Sequence, residues 1–408
     1  MASQFGVNVV TSVNAARPIR VQSNTPIGAV GTIVLPADIT ELKEEEIVIY
    51  NAIKNGELIS FANSGKMKNF CGKFGGSLSE VADAIDDQNV ACQIVVKAIE
   101  IAEAALDNVA KAEDFYLHPI VKSRIIEGID GLRNSRAILG YKPNLLIAPR
   151  FSHDPDVAAQ LVATAERLWA TAFIDLNAAS EAGAITAAGD FGTKRAILCD
   201  PYCKVWNTET NVAEFAPSSA RLAALQAWTD GQWEYGFADS FSNREIKGIS
   251  GTSRAIEFEA GIDCEADRLR AASVATIIRC GGYRAWGADT TDIDPIWRDL
   301  PRVRTFDRIC EAALDGLFWA IDRRASDTLK AVKDSVEQLL LALKGSNVVL
   351  GFEVTWDEEK NTKANITAGK FYLNAELQNM PIVKRLEVDF TYSDRWGDLL
   401  MNMANGGE

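Results

Sequence analysis

The residues of this chain that could do chemistry are seven cysteines, two histidines and several carboxylates placed at the ends of apolar runs. Cys199 and Cys203 have three residues between them, a spacing that zinc fingers do not use, and no second Cys or His pair lies nearby in sequence. The acidic run DTTDIDP, from Asp289 to Pro295, lacks the glycine and terminal glutamate of a calcium loop and reads as a polar surface loop. GKMKNFCGKFGG has glycines and lysines without the spacing that wraps phosphate. Neither GxGxxG after a strand nor GxSxG is present. Histidine is the usual general acid or base near neutral pH, so its scarcity counts against many hydrolase chemistries. Asp175 and Asp200 close two apolar runs, IDLN and LCDP, where a ligand of an α/β enzyme would sit. An aspartate after a strand also makes a turn or caps the next helix, and that structural role is the expectation for both.

The elements that would position such residues alternate between strand and helix. Residues 5 to 13 alternate as an extended arm, broken at Arg17–Pro18. TPIGAVGTIVLPAD predicts a strand, and EEEIVIYNAI, with Ile47 and Ile49, predicts another. SLSEVADAID reads as a helix whose Ser77 and Glu80 have capping-box spacing. NVACQIVVKA predicts a buried strand, followed by a helix over about 99–112. From Gly140 to Asp200 the order is strand (NLLIAPR), helix with Asp154 near its start, strand (TAFIDLN) and strand (KRAILCDP), a parallel crossover pattern. Residues 218–330 read as mainly helix and loop. An amphipathic helix is expected from Ala325 to Lys344, capped by Gly345, before two strands, NVVLGFEVTW and KFYLNAEL. Finally Leu386, Val388, Phe390 and Tyr392 alternate with Glu387, Asp389 and Thr391, which predicts a half-buried strand.

Composition narrows the classes further. The 408 residues carry a formal charge of -14 with no basic run, which argues against nucleic-acid binding. No apolar stretch approaches the roughly 20 residues of a membrane helix, and MASQFGVNVV lacks signal-peptide character. Folding in a cytoplasm is expected.

Three blocks, in order, resemble contractile tail sheath proteins of myovirus-type phages, including the P2-like and R-type bacteriocin sheaths. They are NTPIGAVGTIVLPAD, GIDGLRNSRAILGYKPNLLIAPRF and ATIIRCGGYRAWGADTTD. The last is similar to the family's R-x-x-G-x-x-x-W-G-x-R-T and carries Arg279, Gly282, Trp286, Gly287 and Thr290; it departs at Asp289, where the family has arginine. The resemblance implies a structural subunit, without cofactor or catalytic site, that stacks as hexameric discs around a tail tube and contracts. It implies a mixed α/β, multi-domain fold. Its divisions would be an N-terminal arm (1–22), an outer α/β region (23–265, divisible as 23–138 and 139–265), an inner assembly domain (266–380) and a C-terminal arm (381–408).

Within that frame Phe5, Val7 and Val9, with Leu386, Val388, Phe390 and Tyr392, are the expected inter-subunit strands. The Arg279–Thr290 block is the expected packing hub of the inner domain. Lys330, Lys333 and Lys344 could face an acidic tube. Five cysteines in or beside loops, Cys71, Cys199, Cys203, Cys264 and Cys280, could cross-link neighbours in a released particle, whereas Cys92 and Cys310 read as buried. The implied partners are other copies of the chain, the tube, the baseplate and a tail terminator, with no nucleic acid or membrane. The implied place is the virion, after assembly in the host bacterial cytoplasm. An α/β enzyme and a static filament or surface-layer protein stay open as alternatives.

Overall fold

The computed structural model describes residues 17–36, 39, 40, 42–101, 118–207 and 211–404. The strands are β1 (Ile27–Val34), β2 (Ile59–Phe61), β3 (Ile94–Ile101), β4 (Leu145–Ile147), β5 (Thr171–Asp175) and β6 (Ala196–Cys199); all but β2 fall on apolar runs seen in the sequence. Next come β7 (Cys203–Asn207), β8 (Val212–Ala216), β9 (Gly251–Thr252), β10 (Val274–Arg279) and β11 (Tyr283–Trp286). β12 (Val349–Trp356) and β13 (Leu373–Asn379) complete the set. The helices are α1 (Glu44–Lys54), α2 (Ser64–Cys71), α3 (Ser77–Asp86), α4 (Pro119–Gly131), α5 (Ser135–Leu139), α6 (Pro155–Leu168) and α7 (Glu181–Ala188). They continue with α8 (Ser219–Asp230), α9 (Glu265–Ala271), α10 (Leu300–Leu317), α11 (Ala325–Gly345), α12 (Lys363–Thr367) and α13 (Gly397–Ala404).

Eight strands form one sheet in the order β11-β10-β6-β5-β4-β1-β3-β2. The six central strands are parallel, and an antiparallel strand closes each edge, β2 on β3 and β11 on β10. Parallel strands are buried on both faces, which is why they read as unbroken apolar runs. One core packs α3 and α8 against one face, and a second packs α4 and α6 against the other. A separate core, with Ile309, Leu339, Leu340, Leu343, Val349 and Val354, joins α10 and α11 to the two-stranded sheet β12–β13.

Four expectations change. EEEIVIYNAI is helix α1, not a strand: three glutamates fill its first turn, favourable at the positive end of the helix dipole, and the Lys43 amide donates to the Glu46 carboxylate at 3.0 Å. Ser77 opens α3 without capping it. Its amide donates to Thr32 Oγ1 at 3.1 Å and its hydroxyl accepts from the Thr32 amide at 2.9 Å, so it ties the helix to β1. β3 runs on to Ile101, where a helix was expected, and the rest of that segment lies outside the described residues. The GGYRAW part of 218–330 is a strand in the hairpin β10–β11, turned by Gly281 and Gly282 at φ +60° and +126°.

Candidate functional site

The strand-end carboxylates are spent on structure. Asp175 is fully buried and accepts hydrogen bonds from the Ser152 hydroxyl (3.1 Å) and from the Ser219 amide (2.9 Å) and hydroxyl (2.5 Å). Those donors bind β5 to the start of α8, and burial pushes the Asp175 carboxyl above its usual range. Asp200 accepts from the Ala178 amide and pairs with Arg254; burial nevertheless lifts it to about 6. A cleft of about 630 Å³ beside the end of β5 is lined by apolar residues such as Val162, Leu176 and Phe191 together with His153, Glu166 and Asp190. In the acidic loop, Asp292 and Asp294 accept from the amides of Asp294 and Ile296 at 2.8 and 2.9 Å, the work of turn residues.

The cysteine expectation is corrected. All seven thiols are free; Cys71, Cys199, Cys203 and Cys264 are buried, and only Cys280 of the five candidates is exposed. Cys71 ends a helix, and Cys199 and Cys203 flank the turn between β6 and β7, beside loops as expected, but their side chains are buried. Burial pushes the Cys71 and Cys203 thiols up to about 12, which disfavours the reactive thiolate. Cys310, expected to be buried, is exposed on α10.

The Arg279–Thr290 block is brought together, but at the rim of the large sheet. Arg279 ends β10 with its guanidinium over the Tyr283 ring. Trp286 ends β11; its indole donates to Asp267 at 3.1 Å, Phe258 meets it edge-on at 5.1 Å, and Arg270 lies over it. Gly287, at φ +98°, donates its amide to Ser242, and buried Thr290 bonds the backbone of Arg298 and Trp297. Because β10 pairs with β6, this block belongs to the eight-stranded sheet, and its expected place as hub of a separate inner domain is corrected.

Two buried arginines that look like solvated helix residues in the sequence carry the junction to the C-terminal module. Arg304 grips Asp230 with both amino groups, and Arg308 donates to the Asn24 carbonyl and the Thr25 hydroxyl at 2.9 and 2.8 Å. One turn round α10, Asp307 takes Arg195 of the sheet. The i, i+4 spacing of Arg304 and Arg308 was the only signal available, and nothing in it says which face is buried.

Beyond that junction the surface changes character. Lys330 and Lys344 of α11 are exposed, and Lys333, half-buried, is 3.6 Å from Glu337. Both edges of the β12–β13 sheet lack a strand partner among the described residues. Residues 381–396 carry no regular secondary structure until α13. The expected half-buried strand is therefore absent within the chain: Leu386, Val388, Phe390 and Tyr392 alternate as anticipated but are 80%, 61%, 90% and 91% exposed. Phe5, Val7 and Val9 lie outside the described residues. At the root of this tail, Asn379 accepts from Arg302, the Met380 amide bonds Val348 at 2.8 Å, and Lys384 pairs with Asp289 and, at 3.5 Å, Asp299. The N-terminal segment is rooted on the same module: Arg17 bonds Ser335 and lies over Trp319, and Ile19 packs on Gly316.

The strand-end aspartates hold the body together, and the C-terminal tail leaves its apolar residues uncovered. Residues 126–291 match the phage tail sheath protein central domain and residues 292–391 the phage tail sheath C-terminal domain, and the chain belongs to the phage tail sheath family. It is 38% identical to a prophage major tail sheath protein of Pseudomonas aeruginosa (strain UCBPP-PA14) over 279 residues, 68% of this chain and 72% of that one. It is 24% identical to the tail sheath protein of Escherichia phage P2 over 343 residues, covering 81% and 84%. Its fold is similar to the helical sheath of the anti-feeding prophage in the contracted state, with a TM-score of 0.66 at 18% identity over 96% of this chain and 100% of that one. The sheath of an extracellular contractile injection system, PVC, gives 0.66 at 16% over 97% and 99%. The protein is thus a structural sheath subunit of a phage-type tail, and not an enzyme.

Proposed function

We propose that this subunit polymerises as stacked hexameric discs around a tail tube and that contraction of the array drives the tube through the host envelope. Residues 5–13 and 386–392 act as strands exchanged with neighbouring copies. The observation that carries this is the tail itself: an alternating apolar face left in solvent beside a two-stranded sheet with open edges. An isolated two-stranded sheet is marginal, and open edges accept strands from other chains. Strand exchange keeps copies linked while their bodies move, and a head-to-tail contact that does not close builds an open helical array. Lys330, Lys333 and Lys344 share about one sixth of the circumference of α11, counted at about 100° per residue, and form the surface offered to an acidic tube. The chain assembles in the host cytoplasm, with baseplate and terminator proteins at the two ends of the array. The contracted states recorded for sheaths of similar fold support this reading.

Removing residues 1–15 or 381–408 tests it. Electron microscopy and sedimentation of the full chain should show long hollow tubes, and either truncation should give a monomer that melts within a few degrees of the parent. Unimpaired polymers from both truncations would sink the exchange.

A further inference from the structure

Asp289, the residue that departs from the family motif, stands opposite the root of the C-terminal arm. Its Oδ1 accepts from Lys384, and its Oδ2 lies 3.8 Å from Arg270 of α9. Asp299, at the N-terminal end of α10, is 5% exposed; its Oδ1 has no hydrogen-bond partner and sits 3.5 Å from the same Lys384 ammonium. The two carboxylates come from residues joined by an isolated antiparallel bridge outside the strands, so the backbone holds their main-chain positions together. Lys384 is the only residue between Met380 and α13 whose side chain makes an ion pair with the body among the described residues. Four residues upstream, Met380 is fixed to Val348, and beyond Lys384 the next ion pair, Arg385–Glu387, lies within the tail.

We propose that Asp289 and Asp299 are positioning residues that grip Lys384 and thereby set the line along which the C-terminal arm leaves the body. The inference rests on the reading of 381–404 as an exchanged arm. An arm leaving in one fixed direction meets its neighbour with less orientational entropy left to lose, so the grip lowers the concentration at which copies join. Lys384 is 42% exposed at its side chain, which keeps the grip weak enough to yield. Around Asp299 stand Lys384 from the arm, Arg302 from α10 and Asp289 from the facing loop; around Asp289 stand Lys384 and Arg270. Burial raises the Asp299 carboxyl above its usual range, Lys384 and Arg302 oppose that, and Asp289 adds to it. As pH falls, Asp299 is therefore neutralised earlier than an ordinary aspartate, and Lys384 loses one of its two counter-charges. Because its folded pKa is raised, protonation of Asp299 favours the folded body, so the grip loosens without a loss of body stability through this group.

The experiment compares the full chain with Lys384→Met and Lys384→Arg, measuring body melting and the critical concentration for polymerisation. The three bodies should melt alike. Lys384→Met should need about fivefold more protein in dilute buffer, the upper range for a partly exposed ion pair, and Lys384→Arg should match the parent. The gap between parent and Lys384→Met should close at about 0.5 M salt, where screening is strong, and narrow on acidification. Equal critical concentrations, or a gap indifferent to both salt and pH, would overturn the grip while leaving arm exchange intact. A parent chain that forms no polymer at all would remove arm exchange and, with it, this inference.

Discussion

The eight-stranded body and the segment after Met380 obey opposite rules. In the body, even charged groups are buried and answered: Arg304 by Asp230, Arg195 by Asp307, Asp175 by two serines. In the tail, Phe390 and Tyr392 are left almost wholly in water, and α13 follows with Leu399, Leu400, Met401 and Met403 exposed. Apolar side chains in that number are not left uncovered by a chain that works alone. The contrast teaches that the body covers its apolar and charged groups within one copy, whereas the tail does not.

The largest expected effect that would sharpen this contrast is Arg304→Ala. It strands the buried Asp230 carboxylate, which should cost the body about 3–5 kcal/mol in chemical denaturation, as loss of one partner of a buried pair does. An equal cost from Leu386→Ala would break the contrast, because Leu386 should change assembly and leave melting alone.

A smaller effect concerns acid. Asp200 is held at about 6 in the fold against an ordinary 3.8, so its contribution to stability is fullest below the ordinary value and is lost as pH rises to about 6. Between those limits denaturation of the parent should show a decline with rising pH of roughly 2 kcal/mol that Asp200→Asn lacks, one pKa unit being worth about 1.4. Identical slopes for the two chains would refute it. The smallest effect is chemical: a maleimide should label Cys280 and Cys310 in the folded chain and leave the other cysteines until it is denatured, read by mass spectrometry.

Much of the body was legible because parallel strands announce themselves as apolar runs. NLLIAPR, TAFIDLN and KRAILCDP fall on β4, β5 and β6, and Asp154 caps α6 by accepting from the Asp156 amide. The helix over Ala325–Gly345 and the strands beside it were likewise readable from their period, although Gly345 closes the helix and Ser346, not Gly345, is its C-cap. What failed, failed for local reasons. Ile47, Val48 and Ile49 are β-branched neighbours that favour a strand, yet the acidic first turn and the burial of Tyr50 and Ile53 one turn apart carry α1 into a helix. The burial of Cys264 was not legible because, at the entry to α9, it sits under Ile278 and Trp286, strands too distant in sequence to see. The grip on Lys384 was illegible for the same reason: 95 residues separate it from Asp289.

The β12–β13 sheet has a consequence of its own. Among the described residues the two strands leave both edges without a strand partner, and the chain has sequence on either side of its body to offer as guests. Under strand exchange, hosts and guests balance in the middle of an array and nowhere else. One end of the array must finish with empty hosts and the other with idle guests, so the two ends are chemically different objects. Growth can then be started by a template that resembles one end and stopped by a cap that resembles the other, and the direction of the whole filament is already written in the valence of a single hairpin.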